Sequence, residues 1–231
     1  MREPAFWWRA GTGEALAPLG VIYGVVAGLR MSARGRQAGL PVICLGNLTV
    51  GGAGKTPAAL AVAQLLHAAH ERPFFLSRGY GGRLAGPVRV NPALHRAADV
   101  GDEPMLLARR APTVVARDRL AGATFARSAG ASVIVMDDGF QNPSLTKNLA
   151  LILLDGRRGI GNGRVIPAGP LRAPLELQLE RAQALIVVGA PERAGPVLDR
   201  ASRRVPGRQP RSAPGRVQVA IPAARATDPR E

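Results

Sequence analysis

Cysteine is almost missing from this 231-residue chain: Cys44 is the only one. An intrachain disulfide framework is excluded, and a lone thiol inside an apolar run reads as a small buried hydrophobe in a reducing compartment. Aromatic residues make up 4%, too few for the stacking platforms of single-strand nucleic-acid binders. There is no zinc-finger spacing and no aromatic RNA-binding motif, and His67, His70 and His95 fall in no metal-ligand pattern. The absence of an Asn-Lys-x-Asp guanine motif argues against a GTPase or a metallochaperone. Acids are few beside bases, 16 against 31, for a formal charge of +15. That balance suits anionic partners, but only the charge itself points to nucleic acid, so nucleic acid is not expected. Lysine is scarcer still: Lys55 and Lys147 are the only two, the other cations being arginine.

One of those two lysines sits in the most telling stretch of the chain. An apolar strand-like run from Val42 enters Thr49-Val-Gly-Gly-Ala-Gly-Lys-Thr56, and a helical pattern follows. Strand, glycine-rich turn and helix occur in the order that phosphate binding needs. Consecutive backbone N–H groups can turn inward where no Cβ obstructs them, and the helix N-terminus adds its positive end. The expected nucleotide-binding residues are Thr49, Val50, Gly51, Gly52, Ala53, Gly54, Lys55 and Thr56. Lys55 reaches the β- and γ-phosphates, and the Thr56 hydroxyl holds Mg²⁺. A compact ammonium on a flexible stem fits this task better than a planar guanidinium.

Ser132-Val-Ile-Val-Met-Asp-Asp138 is a buried-type strand ending in acids. This is the form of a Walker-B element, and strand C-terminal ends are where α/β proteins bind ligands. Asp137 and Asp138 are candidate Mg²⁺ ligands with Thr56. Being adjacent, they point in different directions and should differ in role. Gly101-Asp-Glu-Pro104 opens a helical pattern; its acids either complement the helix dipole or place Asp102 as a general base. Ser77 and Arg78 follow another strand in a loop that could wrap an anion.

From Pro41 onward, strand candidates at 42–46, 73–76, 113–116, 132–137, 150–154 and 184–188 alternate with helix candidates at 56–70, 103–110 and 118–129. Gly130 is placed to end the last of these helices. The pattern predicts an α/β fold with a mostly parallel sheet flanked by helices, of P-loop NTPase type. Ahead of it, Trp7 and Trp8 precede an uncharged run from Ala15 to Leu29 that closes in Arg30, Arg34 and Arg36. The run falls short of the roughly 20 residues of a spanning helix. Aromatic anchors, apolar body and basic rim describe a membrane-interface segment, with a core-packing helix as the alternative. Three segments are expected: an interfacial segment at 1–38, a P-loop kinase core at 39–190, and an Arg/Pro-rich tail at 191–231, disordered or divergent.

Taken together, Asn47–Pro57, Ser77-Arg-Gly-Tyr80, Gly101-Asp-Glu-Pro104, Asp118-Arg119, Asp137-Asp-Gly-Phe-Gln141 and Gly169-Pro-Leu-Arg172 resemble the tetraacyldisaccharide 4'-kinase family, the lipid A 4'-kinases of Gram-negative bacteria. Phe6-Trp7 and the apolar run resemble that family's membrane-associated N-terminus. The resemblance covers about residues 3 to 190 and explains Thr49 at the head of the loop as a family trait. It implies that Mg-ATP gives its γ-phosphate to the 4'-hydroxyl of a tetraacyl glucosamine disaccharide 1-phosphate, at the cytoplasmic face of the inner membrane. It implies Asp102, Lys55 and Asp138 as catalytic residues, and Ser77, Arg78, Arg119, Gln141 and Arg172 as substrate contacts. No obligate protein partner is implied. Family members continue for roughly another third of their length in a second lobe, so that lobe is expected to be incomplete here. Asn142 stands where many members have His, and Ala173 replaces a common acid. The alternative expectation is therefore a nucleotide-binding protein with weak or no kinase activity.

Overall fold

The computed structural model describes residues 3–52 and 54–203. Ala53 and the tail beyond residue 203 lie outside the described residues, so the expectations placed on them do too. Two units are distinguished, one comprising residues 25–47 and 54–151, the other the described residues up to 24, 48–52 and 152–203. They do not follow the three consecutive segments expected from the sequence. The chain passes from one unit to the other within its first helix, on either side of residues 48–53, and within its sixth strand.

The unit of residues 25–47 and 54–151 is built on parallel strands. β1 (Val42–Asn47), β2 (Pro73–Ser77), β4 (Thr113–Val115) and β5 (Val133–Asp137) lie in the order β4-β2-β5-β1. Cys44 pairs with Met136 and Phe75 with Val135 in parallel register. β2 and β5 are buried at every position, which is why they read as continuous apolar runs rather than alternating ones. A two-residue strand, β3 (Val88–Arg89), adds an antiparallel edge on β4. The helices of this unit are α2 (Lys55–Ala68), α3 (Ala97–Val100), α4 (Asp102–Ala108) and α5 (Arg119–Ser128). Asp118 caps α5, accepting from the Leu120 and Ala121 amides at 2.9 and 3.1 Å. Gly130 closes that helix at φ +91°, as expected. Cys44 is fully buried, and burial pushes its thiol up to about 12, so it serves as a core hydrophobe.

β6 (Leu149–Asp155) begins in this unit and ends in the other, where it neighbours β7 (Ala184–Val188). The second unit also contains α6 (Leu175–Arg181) and α7 (Gly195–Arg203). Helix α7 lies at the start of the stretch from residue 191 that the sequence reads as disordered or divergent. Val197 and Ala201, one helical turn apart, are both buried, and those two apolar contacts suffice to seat a helix otherwise rich in charge.

Helix α1 (Ala17–Ser32) turns its face the unusual way. Gly20, Gly24 and Met31 are buried, while Leu19, Val21, Ile22, Tyr23, Val25, Val26 and Leu29 are exposed. A Cβ on Gly20 would stand 2.8 Å from the Val165 carbonyl oxygen, so only glycine permits that approach. With its short 3₁₀ opening, the helical segment Glu14–Ser32 has 19 residues, of which the most apolar 18-residue stretch has a mean hydropathy of 1.5. That is longer than the uncharged run alone, because Glu14 and Arg30 lie within the segment, and it reaches spanning length by length and composition.

Candidate functional site

In the unit of residues 25–47 and 54–151, the carboxyl ends of the parallel strands carry the polar groups. Asn47 ends β1, Ser77 ends β2 and Asp137 ends β5, the positions at which open parallel sheets bind ligands. Gly54 adopts φ +74° and hands the chain into α2 at Lys55, a turn that favours glycine. Lys55 Nζ donates to Asn47 Oδ1 at 3.5 Å and lies 3.6 Å from Asp138 Oδ1, with its side chain only 10% exposed. Thr56 Oγ1 donates to Glu103 Oε1 at 3.1 Å. The two residues that the loop motif singles out are thus each engaged by an acid.

The acids differ as their adjacent positions require. Asp138 adopts φ +49° and is partly exposed toward Lys55. Asp137 is 1% exposed, and neither of its carboxylate oxygens has a hydrogen-bond partner among the described residues. Burial, then the Glu103 carboxyl beside it, pushes Asp137 up to about 8, against the opposing pull of Lys55. As two carboxylates, Glu103 and Asp137 offer each other no donor. A proton on Asp137 turns the clash into a hydrogen bond, which accounts both for the orphaned oxygens and for the upward shift. The chemistry of this set fits a hard divalent cation: oxygen ligands only, from Thr56, Glu103 and Asp137, with a buried carboxylate that is costly without a positive charge.

Sequence reasoning missed Glu103 and Asn47. Asp102 opens α4 and is exposed, with no hydrogen bond or ion pair among the described residues. Glu103, one position on, is the acid that meets Thr56. The other expected residues of this unit divide likewise. Ser77 is buried and its hydroxyl accepts from the Gly79 amide at 3.4 Å, whereas Arg78 is exposed. Arg119 is 3% exposed, donates through Nη1 to the Ala116 carbonyl at 3.2 Å, and has no partner at Nε among the described residues. Burial, with the Arg78 guanidinium adding to it, lowers Arg119 to about 10. Two neighbouring guanidinium groups, one desolvated, form a pole that favours anions. Gln141 Nε2 donates to the Asn47 carbonyl at 2.9 Å, which fixes the end of β1.

In the other unit, residues 48–52 form the first half of the loop. Leu48 receives the Arg172 amide at 2.9 Å and the Gln178 side-chain amide at 3.3 Å; Val50 donates to the Pro170 carbonyl at 2.8 Å. Arg172 Nε donates to the Thr49 carbonyl at 3.1 Å. The Gly169–Arg172 motif therefore braces the loop as a short antiparallel ribbon, Thr49 opposite Leu171. Gly51 adopts φ +98°, with the Glu3 carboxylate against its α-carbon, while the space beside Gly52 is open. Glu3, Gln178 and the pairing of residues 169–172 with the loop leave no short-range signal in sequence.

A family model described as Tetraacyldisaccharide-1-P 4'-kinase, LpxK, matches residues 13–228. The match runs beyond the residue 190 at which the recognised motifs stop. The Tetraacyldisaccharide 4'-kinase of Rhodopseudomonas palustris (strain BisB18) is 63% identical over 199 residues, 85% of this chain and 58% of that protein. Its counterpart from Bradyrhizobium diazoefficiens is 56% identical over 223 residues, 95% of this chain and 66% of that protein. The crystal structure of LpxK from Aquifex aeolicus in complex with ATP superposes with a TM-score of 0.68 at 32% identity, covering 76% of this chain and 58% of that one. The chain spans between about half and two thirds of the length of these relatives.

Proposed function

The chain belongs to the tetraacyldisaccharide-1-P 4'-kinase family, and on that footing we propose that it transfers the γ-phosphate of ATP to the 4'-hydroxyl of a tetraacyldisaccharide 1-phosphate. The observation that carries this reading is the Lys55–Asp138 and Thr56–Glu103–Asp137 cluster at the start of α2. Lys55 exchanges Asp138 and Asn47 for phosphate oxygens. Thr56 and Asp137 would hold Mg²⁺, together with Glu103 and with Asp138 as a further expected ligand; when bound, the ion would neutralise charge on the phosphates. Asp102, open to solvent at the head of α4, takes the proton from the attacking hydroxyl. The new phosphorus–oxygen bond forms as the bond to the β-phosphate breaks, and ADP leaves. Residues 49–54 cradle the phosphates through backbone amides. Arg78, Arg119 and Ser77 receive anionic oxygens of the acceptor, Gln141 shapes its surroundings, and Arg172 braces the loop through the Thr49 carbonyl.

The exposed apolar face of α1 supports a place at a membrane surface, where a tetraacyl substrate keeps its chains buried; we assign the cytoplasmic face of the inner membrane. The test is transfer of labelled γ-phosphate from ATP to a tetraacyldisaccharide 1-phosphate in detergent micelles. Transfer by the wild-type chain, lost by about 10²-fold or more in Asp102→Asn with Mg-ATP binding retained, is the expected result. Binding of Mg-ATP with no transfer by the wild-type chain would support the nucleotide-binding reading instead.

A further inference from the structure

The first half of the loop already has an anion on it. One oxygen of the Glu3 carboxylate packs against Gly51, so closely that a Cβ there would overlap it, and the other accepts from Arg158 Nη1 at 2.8 Å. The Glu3 side chain is 22% exposed, that of Arg158 53%. Arg158 also lies over the Trp8 indole, its guanidinium carbon 4.9 Å from the ring centroid. The Pro4 carbonyl receives the Trp7 amide at 3.1 Å, Trp7 Nε1 donates to the Pro167 carbonyl at 2.9 Å, and the Asn162 amide donates to the Trp7 carbonyl at 2.8 Å. At the other partner, the Asp155 carboxylate accepts the Arg157 and Arg158 amides at 2.9 and 3.1 Å. Arg158 is thus held by its own backbone, and Glu3 by the anchoring of the residues that follow it.

We infer that Glu3 and Arg158 form a latch on residues 48–52, the first half of the phosphate-binding loop, in which the Glu3 carboxylate occupies the place of an anion and keeps Arg158 in reserve as a ligand for a phosphate that takes that place. The inference rests on the nucleotide reading of the loop. A glycine-rich loop before a helix attracts anions, and a carboxylate seated on it competes with phosphate. A triphosphate brings more charge and more acceptor oxygens than one carboxylate, so it displaces Glu3. Arg158 then exchanges a carboxylate for a phosphate, to which a guanidinium binds bidentately. The exchange makes Glu3 a threshold: weakly charged anions do not open the latch, a triphosphate does.

Titration of the full chain with Mg-ATP and Mg-ADP tests this. The only two tryptophans are Trp7 and Trp8, so intrinsic fluorescence reports whether Arg158 leaves the Trp8 ring. Glu3→Gln, which removes charge and keeps shape, is expected to tighten Mg-ATP binding by about threefold or more. Arg158→Gln is expected to weaken Mg-ATP binding about tenfold, with Mg-ADP as the less charged comparison, and to abolish the fluorescence change on ATP addition. Unchanged or weaker ATP binding in Glu3→Gln overturns the latch. Unchanged Mg-ATP binding in Arg158→Gln overturns the assignment of Arg158 to a phosphate. Should Arg158→Gln not melt cooperatively, the isosteric Glu3 variant carries the test alone. Binding lost in Lys55→Ala but indifferent to Glu3 and Arg158 overturns the latch and leaves the nucleotide reading standing; no binding by the wild-type chain overturns both.

Discussion

At Asp137 burial and charge oppose each other, and the balance sets how the site responds to pH. The group is pushed from its ordinary value of 3.8 up to about 8. The folded chain therefore holds a proton that the unfolded chain releases. Stability from this group is fully present below about pH 4 and is lost as pH rises through about 8, in the absence of a divalent cation. Asp137→Asn removes the titration and supplies its own donor toward Glu103. In metal-free melts the variant is expected to gain on wild type as pH rises from 4 to 8 and to hold that gain above it. Mg²⁺ should reverse the order, stabilising wild type and not the variant. Mg²⁺ binding to wild type below pH 8 should also release a proton, seen in calorimetry as a heat that depends on the buffer. A wild-type-minus-variant difference that stays flat with pH would refute the protonated carboxyl pair.

Helix α5 separates the structural from the functional part of a motif. Asp118-Arg119 reads as one unit in sequence, but Asp118 is the helix cap and Arg119 the buried cation. Asp118→Ala is expected to cost about 1 kcal/mol and to lower the melting temperature by roughly 2–4 °C, with Mg-ATP affinity unchanged. A fall in affinity without a fall in melting temperature would assign Asp118 to the ligand instead. Helix α4 shows why the sequence could name one acid and miss the other. Asp102 and Leu106 lie one turn apart on the exposed face, Glu103 and Leu107 on the face turned inward, where Leu107 is fully buried. Both faces carry an acid and a leucine at the same spacing, so periodicity alone cannot orient the helix. The parallel strands, by contrast, were legible to within a residue or two, because burial on both faces writes long β-branched and leucine-rich runs. β3 has only two residues and α7 only two buried apolar contacts, too little pattern for either to stand out.

The charge of the whole chain and the apolar face of α1 both suit a lipid surface, by different physics. A formal charge of +15 draws the protein to any anionic surface, and that pull is screened: the Debye length falls from about 10 Å at 0.1 M salt to about 3 Å at 1 M. The exposed leucine, isoleucine and valine side chains of α1 gain by leaving water, a contribution that salt does not weaken. The two should separate in vesicle co-sedimentation. Binding to vesicles rich in phosphatidylglycerol is expected to fall with salt until it meets the level seen on neutral phosphatidylcholine vesicles, and that level should stay above zero at 1 M. Ile22 and Leu29 are 63% and 70% exposed, so their joint replacement by serine removes little from the fold. The Ile22→Ser/Leu29→Ser chain should keep its low-salt binding to the anionic vesicles and lose the salt-resistant remainder. If salt alone strips wild type from both kinds of vesicle, charge is the whole attraction, and the outward apolar face of α1 needs another partner than lipid.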